Sequence, residues 1–138
     1  MFDRLLVAID HSESSTRVIA MARDLAKTAG SKVFVLHLRE HEVLGRLGVP
    51  ATEETDEGRA EVDDAVGVLR AAGVTAEGAV LDTIFGHAAR EIVDQAAAHD
   101  VSVIVMGSRG RSELASLVVG STAHKVLHLS DRPVLVVR

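Results

Sequence analysis

Short continuous apolar runs, the pattern of strands buried on both faces, alternate along this chain with stretches whose apolar residues recur every three or four positions. Strand-type runs fall at residues 5–9, 32–38, 76–81, 101–106 and 134–137. Helix-type periods fill the intervals. The first helix starts at a Ser12 cap, places Val18, Ala22, Leu25, Ala26 and Ala29 on one face, and stops at Gly30. The second spans roughly residues 57–72, with Val62, Ala65, Val66 and Leu69 inward and Gly73 as its stop. The third runs from about His87 to His99 around Ala89, Ile92, Val93 and Ala96, and the last opens at Gly120-Ser121-Thr122 and runs to about Leu129, before Asp131-Arg132-Pro133 breaks it. The polar stretch 39–56, holding Gly45, Gly48 and Pro50, reads as the least ordered segment. Such alternation predicts an α/β domain with a parallel sheet. At 138 residues the chain closes one core and has no room for a second full domain, so residues 1–138 are expected to form a single unit.

Charge and composition narrow the function classes. Fifteen Lys and Arg against twenty Asp and Glu leave a net charge of −5, which repels a phosphate backbone, and three Phe with no Trp or Tyr are too few for a base-stacking platform. Nucleic acid is therefore not an expected partner. The absence of Cys excludes disulfides, thiol nucleophiles, iron–sulfur clusters and Cys-zinc sites. Apolar runs stop at four or five residues, and the start Met-Phe-Asp-Arg lacks the pattern of a signal segment. The expectation is a soluble, cytoplasmic protein with no membrane partner.

The strongest local signal is Gly107-x-x-Gly110, nine further residues, then Gly120-Ser121-Thr122. Glycines at a strand end present backbone N–H groups to a ligand with no Cβ in the way, and a helix start adds free amides, a positive dipole end and two hydroxyls. Leu114, Leu117 and Val118 fall at helical spacing, so the intervening residues can pack as one turn and join the two clusters into a phosphate cradle. Arg109, Arg111 and Lys125 add local positive charge. The same glycines also suit a plain turn and helix start. Other cradles are absent: no Gly-Lys pair makes a Walker loop, no G-x-G-x-x-G follows the first strand, and no G-x-S-x-G elbow occurs.

Asp10 ends the first strand, where a carboxylate meets ribose hydroxyls or caps a helix. A sheet ordered 3-2-1-4-5 sets strands 1 and 4 side by side and turns Asp10 toward the glycine loop, whereas a flavodoxin-like 2-1-3-4-5 order puts strand 3 between them. His124 and His128 share a helix face at metal-ligand spacing, but without a third ligand they read as surface histidines, and His37 and His41 are equally weak as a metal pair.

Several segments together carry a family resemblance. They are Leu5-Leu6-Val7-Ala8-Ile9-Asp10 with Ser12, Glu13 and Ser15 after it, Leu36-His37-Leu38, Gly86-His87-Ala88, and Met106-Gly107-Ser108-Arg109-Gly110 through Gly120-Ser121-Thr122 to Pro133-Val134-Leu135-Val136-Val137. The whole chain resembles the universal stress protein (UspA-like) family, and the G-x-x-G, nine residues, G-[ST] spacing resembles its ATP-binding branch. The resemblance implies a doubly wound five-stranded parallel sheet of order 3-2-1-4-5 with helices on both faces, akin to the adenine nucleotide alpha hydrolases. It implies that Asp10 and the Leu38 backbone contact the adenosine, that Gly107 and Gly110 lie along the ribose and phosphates, and that Gly120, Ser121 and Thr122 hold the phosphates with Mg²⁺ or Mn²⁺. Ala8, Met106 and Arg109 complete the implied nucleotide-binding set. His11 and Glu113 depart from the small residues common at their positions, and an inward Glu113 lowers affinity or makes a metal obligatory.

The expected function is thus an ATP-binding stress-response regulator with little or no catalysis, acting on a protein partner of unknown identity. Glu113 and His124 are the only titratable acid–base groups in or just beyond the loop, which argues for slow hydrolysis. The alternative is an adenine-nucleotide hydrolase-type enzyme, but residues 8–13 do not match the S-G-G-x-D-S pyrophosphate loop of such enzymes. A phosphoacceptor receiver with Asp82 ending strand 3 lacks the acidic pair after strand 1. The final strand, Val134, Leu135, Val136 and Val137, forms an apolar edge in the 3-2-1-4-5 order, so a homodimer through it is expected, with Pro133 marking where its ladder begins.

Overall fold

Strand and helix alternate as the periodicity predicts: β1 (Arg4–Ile9), α1 (Ser14–Ala29), β2 (Lys32–His41), α2 (Thr52–Ala71), β3 (Ala76–Ile84), α3 (Ala88–Ala98), β4 (Val103–Gly107), α4 (Ser121–Leu129) and β5 (Val134–Val137). The computed structural model describes residues 1–10, 14–41, 52–108 and 119–138. The five strands form a parallel sheet in the order β3-β2-β1-β4-β5. This is the doubly wound order, and the flavodoxin-like alternative is excluded.

Continuous apolar runs are needed because the central strands are covered twice. Leu5, Val7 and Ile9 of β1 join Val33 and Val35 of β2 beneath α1 and α2, where Val18, Ala22, Ala26, Val62 and Leu69 are buried. Leu6, Phe34, Leu36, Ile104 and Met106 point the other way, against Ala89, Ile92 and Ala96 of α3 and Ala123 and Val126 of α4. Successive residues thus serve opposite layers. The four inward residues predicted for α2 are all buried, and Gly30 and Gly73 end α1 and α2 with φ of 70° and 83°. Among the described residues no helix is long and apolar enough to cross a membrane.

The structure departs from the periodicity at element ends. β2 and β3 run three residues past their predicted limits, because Arg39 pairs with Asp82, Glu40 with Thr83 and His41 with Ile84 across the ladder. Hydrophobic spacing is blind to this extension, since charge complementarity rather than burial sustains it. The Arg39 Nη2 group donates to Asp82 Oδ2 at 3.0 Å, and His41 Nε2 lies 2.8 Å from Asp82 Oδ1. Asp82 is therefore a paired residue within β3, not the strand-ending acid a phosphoacceptor needs. In α1 Val18, Ala22 and Ala26 are buried as predicted and Leu25 partly so, Ile19 is buried in addition, and Ala29 is exposed in the last turn, where the Ala26 carbonyl accepts the Ser31 amide at 3.0 Å. α2 starts at Thr52, earlier than predicted, and β4 starts at Val103, with Ser102 already tied to the Arg4 carbonyl at 2.8 Å. The predicted Ser12 cap and the rest of the polar stretch, 42–51, lie outside the described residues.

Candidate functional site

The sheet order places the carboxyl ends of β1 and β4 side by side, with Ala8 beside Met106 in the parallel register. Open α/β sheets bind ligands at such a switch point, where crossover connections leave toward opposite faces and a crevice stays open between them. Main-chain hydrogen bonds shape its rim. The Ser108 amide donates to the Val137 carbonyl at 2.8 Å, anchoring the end of β4 to β5, and the Gly120 amide donates to the Ser108 carbonyl. The start of α4 is therefore joined through the backbone to Ser108, the residue that follows Gly107 at the end of β4.

Gly120 is the N-cap of α4, with φ −67° and ψ 163°. It contributes no side-chain cap, and the first turn holds no acidic residue. The positive end of the helix dipole thus has no side-chain cap from Gly120 and no carboxylate in its own first turn, an arrangement that favours an anion from outside.

A cleft of about 460 Å³ opens at this point, within the size range of small-molecule sites. Ala8, Leu36, Leu38 and Met106, from the layer that packs on α3 and α4, form its apolar part. Asp10, Ser108, Ser121, Thr122 and Lys125 supply polar groups, with Gly107 between them. Of the residues singled out in the sequence, the structure brings Ala8, Asp10, Leu38, Met106, Gly107, Ser121 and Thr122 around one cleft, with Gly120 bonded to its rim. Arg109 and Gly110 lie outside the described residues, as do His11, Arg111, Glu113, Leu114, Leu117 and Val118.

Three features escaped the sequence reading. Ser15, in the first turn of α1, donates its hydroxyl proton to the Asp10 carbonyl and accepts the Asp10 amide at 3.3 Å, so it fixes the backbone that carries the carboxylate. A hydroxyl five residues past a strand-ending acid was the available signal. His37 is buried beneath α2 and also lines the cleft, and its Nδ1–H donates to the Ile9 carbonyl at 3.0 Å, one residue before Asp10. It braces the end of β1 and is not a metal partner of His41, which turns instead to Asp82. Phe85 and Gly86, just beyond β3, also line the cleft.

His124 and His128 are exposed on α4 as expected for surface histidines, and among the described residues no three His, Asp or Glu side chains gather as a metal site. Among the described residues the clearest electrostatic perturbation is at Asp82, whose partner Arg39 lines the cleft. Asp82 is held below the ordinary carboxylate value, chiefly by its hydrogen bond with His41, which together with the charges of Arg39 and His41 outweighs the opposing effect of burial.

Comparison with known proteins gives a consistent relationship. The model of the universal stress protein family matches residues 1–138. The universal stress protein YxiE of Bacillus subtilis (strain 168) is 38% identical over 148 residues, an alignment covering 100% of each chain. A solved universal stress protein from Archaeoglobus fulgidus is 28% identical with a TM-score of 0.82, again over 100% of both chains. A structure of the universal stress protein from the same organism in complex with dAMP is 26% identical with a TM-score of 0.78 and equal coverage.

Proposed function

The chain belongs to the universal stress protein family, and from that premise we propose that it binds ATP in the cleft between β1 and β4 and serves as a nucleotide-dependent regulator in a stress response, with little or no catalysis. The observation that carries this reading is the start of α4, uncapped by Gly120 and tied to Ser108 at the end of β4. Adenine fits the apolar part formed by Ala8, Leu36, Leu38 and Met106, the ribose hydroxyls fit Asp10, and the phosphates fit Gly107, Gly120, Ser121 and Thr122. Arg109 and Gly110 belong to the same proposed set. The relative solved with dAMP supports the adenine nucleotide as the ligand class.

The donor set bears on Mg²⁺ or Mn²⁺. With no cluster of His, Asp or Glu among the described residues, the fit is to a metal carried mainly by the phosphate oxygens, with the Ser121 and Thr122 hydroxyls as the nearest protein donors in sequence to the helix amides. Bound there, the metal neutralises phosphate charge. For this chain's own residues the task is retention. Hydrolysis requires a group that orients the attacking water, and the described lining offers Ser121, Thr122 and Lys125 as donors at the phosphate end, while Asp10 is assigned to the ribose. Donors that grip substrate and transition state equally add affinity without turnover.

Residues 1–138 act as one domain in this reading, in the cytoplasm, a reducing compartment that a chain without Cys suits. A second copy covers the β5 edge. The test is to denature the purified protein and identify released nucleotide by mass spectrometry, followed by ATP titration and phosphate-release assays with Mg²⁺ or Mn²⁺. Retained adenine nucleotide with negligible turnover is expected. Turnover of about 1 to 10³ per second moves the protein to the hydrolase-type alternative.

A further inference from the structure

Phe85 is an exposed aromatic residue on a turn that the rest of the molecule holds firmly. It is 67% exposed, so its ring is not committed to the core, and yet it lines the cleft. Three hydrogen bonds fix the turn: the Phe85 amide donates to the His41 carbonyl at 2.9 Å, the Gly86 amide to Glu40 Oε2 at 3.1 Å, and the His87 amide to the Ile84 carbonyl at 2.9 Å. Gly86 closes the turn at φ 89°, a conformation a side chain would oppose. The extension of β2 and β3 beyond the apolar runs carries Phe85 to this position, because Glu40 and His41, its partners across the turn, are the last residues of β2.

A single exposed apolar residue is ordinary on a protein surface and by itself calls for no ligand. What separates Phe85 is the combination of an exposed π-face, a backbone pinned at three points, and a place on the lining of a cleft whose other apolar residues, Leu36, Leu38, Ile92 and Met106 among them, are aliphatic, and where the ring of His37 is buried and tied to the Ile9 carbonyl. Aliphatic side chains bury a flat heterocycle without a stacking partner. An aromatic ring in the same cleft supplies one, and holding its backbone in advance reduces the ordering cost on binding.

We propose that Phe85 is a base-recognition residue of this site, stacking on the exposed face of the bound adenine and so favouring nucleotides over abasic phosphates. This rests on the adenine-nucleotide reading of the cleft and adds a residue to it. The chain contains no Trp and no Tyr, so Phe85→Trp places a single indole at the turn, and its emission reports on the base alone. Binding itself is followed separately by the ATP-induced rise in melting temperature of the unaltered protein.

ATP is expected to quench the Phe85→Trp emission with the same midpoint as the melting shift, while tripolyphosphate and ribose 5-phosphate leave emission unchanged. Phe85→Ala and Phe85→Leu are expected to bind ATP about 5- to 30-fold more weakly, and Phe85→Trp to restore affinity. Phe85→Leu keeps apolar bulk without a π-face, and an exposed position tolerates each change, so unaltered melting of the free variants is expected. If ATP stabilises the protein but leaves the indole emission unchanged, or if Phe85→Leu binds as tightly as the parent, the stacking role is overturned and the nucleotide site stands. The exposed ring then belongs to a protein contact. If ATP produces no stabilisation in the unaltered protein, the cleft reading fails and the role of Phe85 fails with it.

Discussion

Replacing Ser121 with Asp is expected to move stability and nucleotide binding in opposite directions. Ser121 is the first residue of α4, is exposed, and lines the same cleft as Gly107. The first turn holds no acidic residue, so a carboxylate there complements the helix dipole and is expected to stabilise the free protein by about 0.3 to 1 kcal/mol. For the ligand the sign reverses. A carboxylate held roughly 5 Å from one phosphate charge repels it by about 3 kcal/mol at an effective dielectric near 20, or around a hundredfold in affinity.

These values translate into melting shifts. ATP at a hundredfold its Kd stabilises the unaltered protein by about 2.7 kcal/mol. With an unfolding entropy of roughly 2.1 cal/mol/K per residue, a chain of 138 residues then gains about 9 °C. At the same ATP concentration the Ser121→Asp variant sits near its own Kd, where the stabilisation falls to about 0.4 kcal/mol and the shift to ~1 °C. Its melting temperature without ATP rises by about 1 to 3 °C. Scanning fluorimetry with an added dye measures both quantities, and equilibrium dialysis gives the Kd directly. A Ser121→Asp protein that retains the full ATP shift refutes the placement of phosphates at the start of α4.

Three other perturbations probe the packing, the charged ladder and the sheet edge. A Cβ on Gly78 of β3 overlaps Val62 Cγ1 and comes within 3.1 Å of both Val66 Cγ2 and the Val35 carbonyl, so Gly78→Ala is expected to cost about 1 to 3 kcal/mol, or ~3 to 10 °C, with partial recovery on adding Val62→Ala; an unchanged melt contradicts the close approach of α2 to β3. Because Asp82 is depressed in the folded state, its contribution is fully present above the ordinary carboxylate value of 3.8 and is lost as pH falls through the lower folded value. The stability gap between the parent and Asp82→Asn is therefore expected to close in acid and to stay below about 1 kcal/mol at neutral pH, since the side chain is 56% exposed; urea titrations that show a gap independent of pH contradict the assignment. In β5 the Val137 and Pro133 carbonyls point at β4, which turns the polar groups of Val134 and Val136 to the open edge. Val136→Pro is expected to leave the β4 ladder intact and to convert the proposed dimer to a monomer in light scattering, and a dimer that survives this change does not form through β5.

The amino-acid sequence by itself determined which segments are strands and helices, where glycine stops α1 and α2, and which residues of α2 face inward. Those properties are local: a period of two or 3.6 and a residue that tolerates positive φ act within one or two turns of chain. Resemblance to a family added the order of the sheet, which the residues alone left open between two arrangements. Tertiary structure decided what depends on distant partners. Arg39, Glu40 and His41 look like loop by their polarity and become strand because Asp82, Thr83 and Ile84 lie opposite them. His37, weak as a metal partner of His41 by its sequence, is the donor that secures the Ile9 carbonyl, and Ser15, to which the spacing of single residues gave no role, holds the Asp10 backbone. Phe85 reaches the cleft only because that polar ladder extends far enough to carry it there. Burial is encoded in the spacing of single residues, whereas ion pairs, buried donors and the convergence of loops on one cleft are pairwise facts, realised only when the sheet has closed in the order β3-β2-β1-β4-β5.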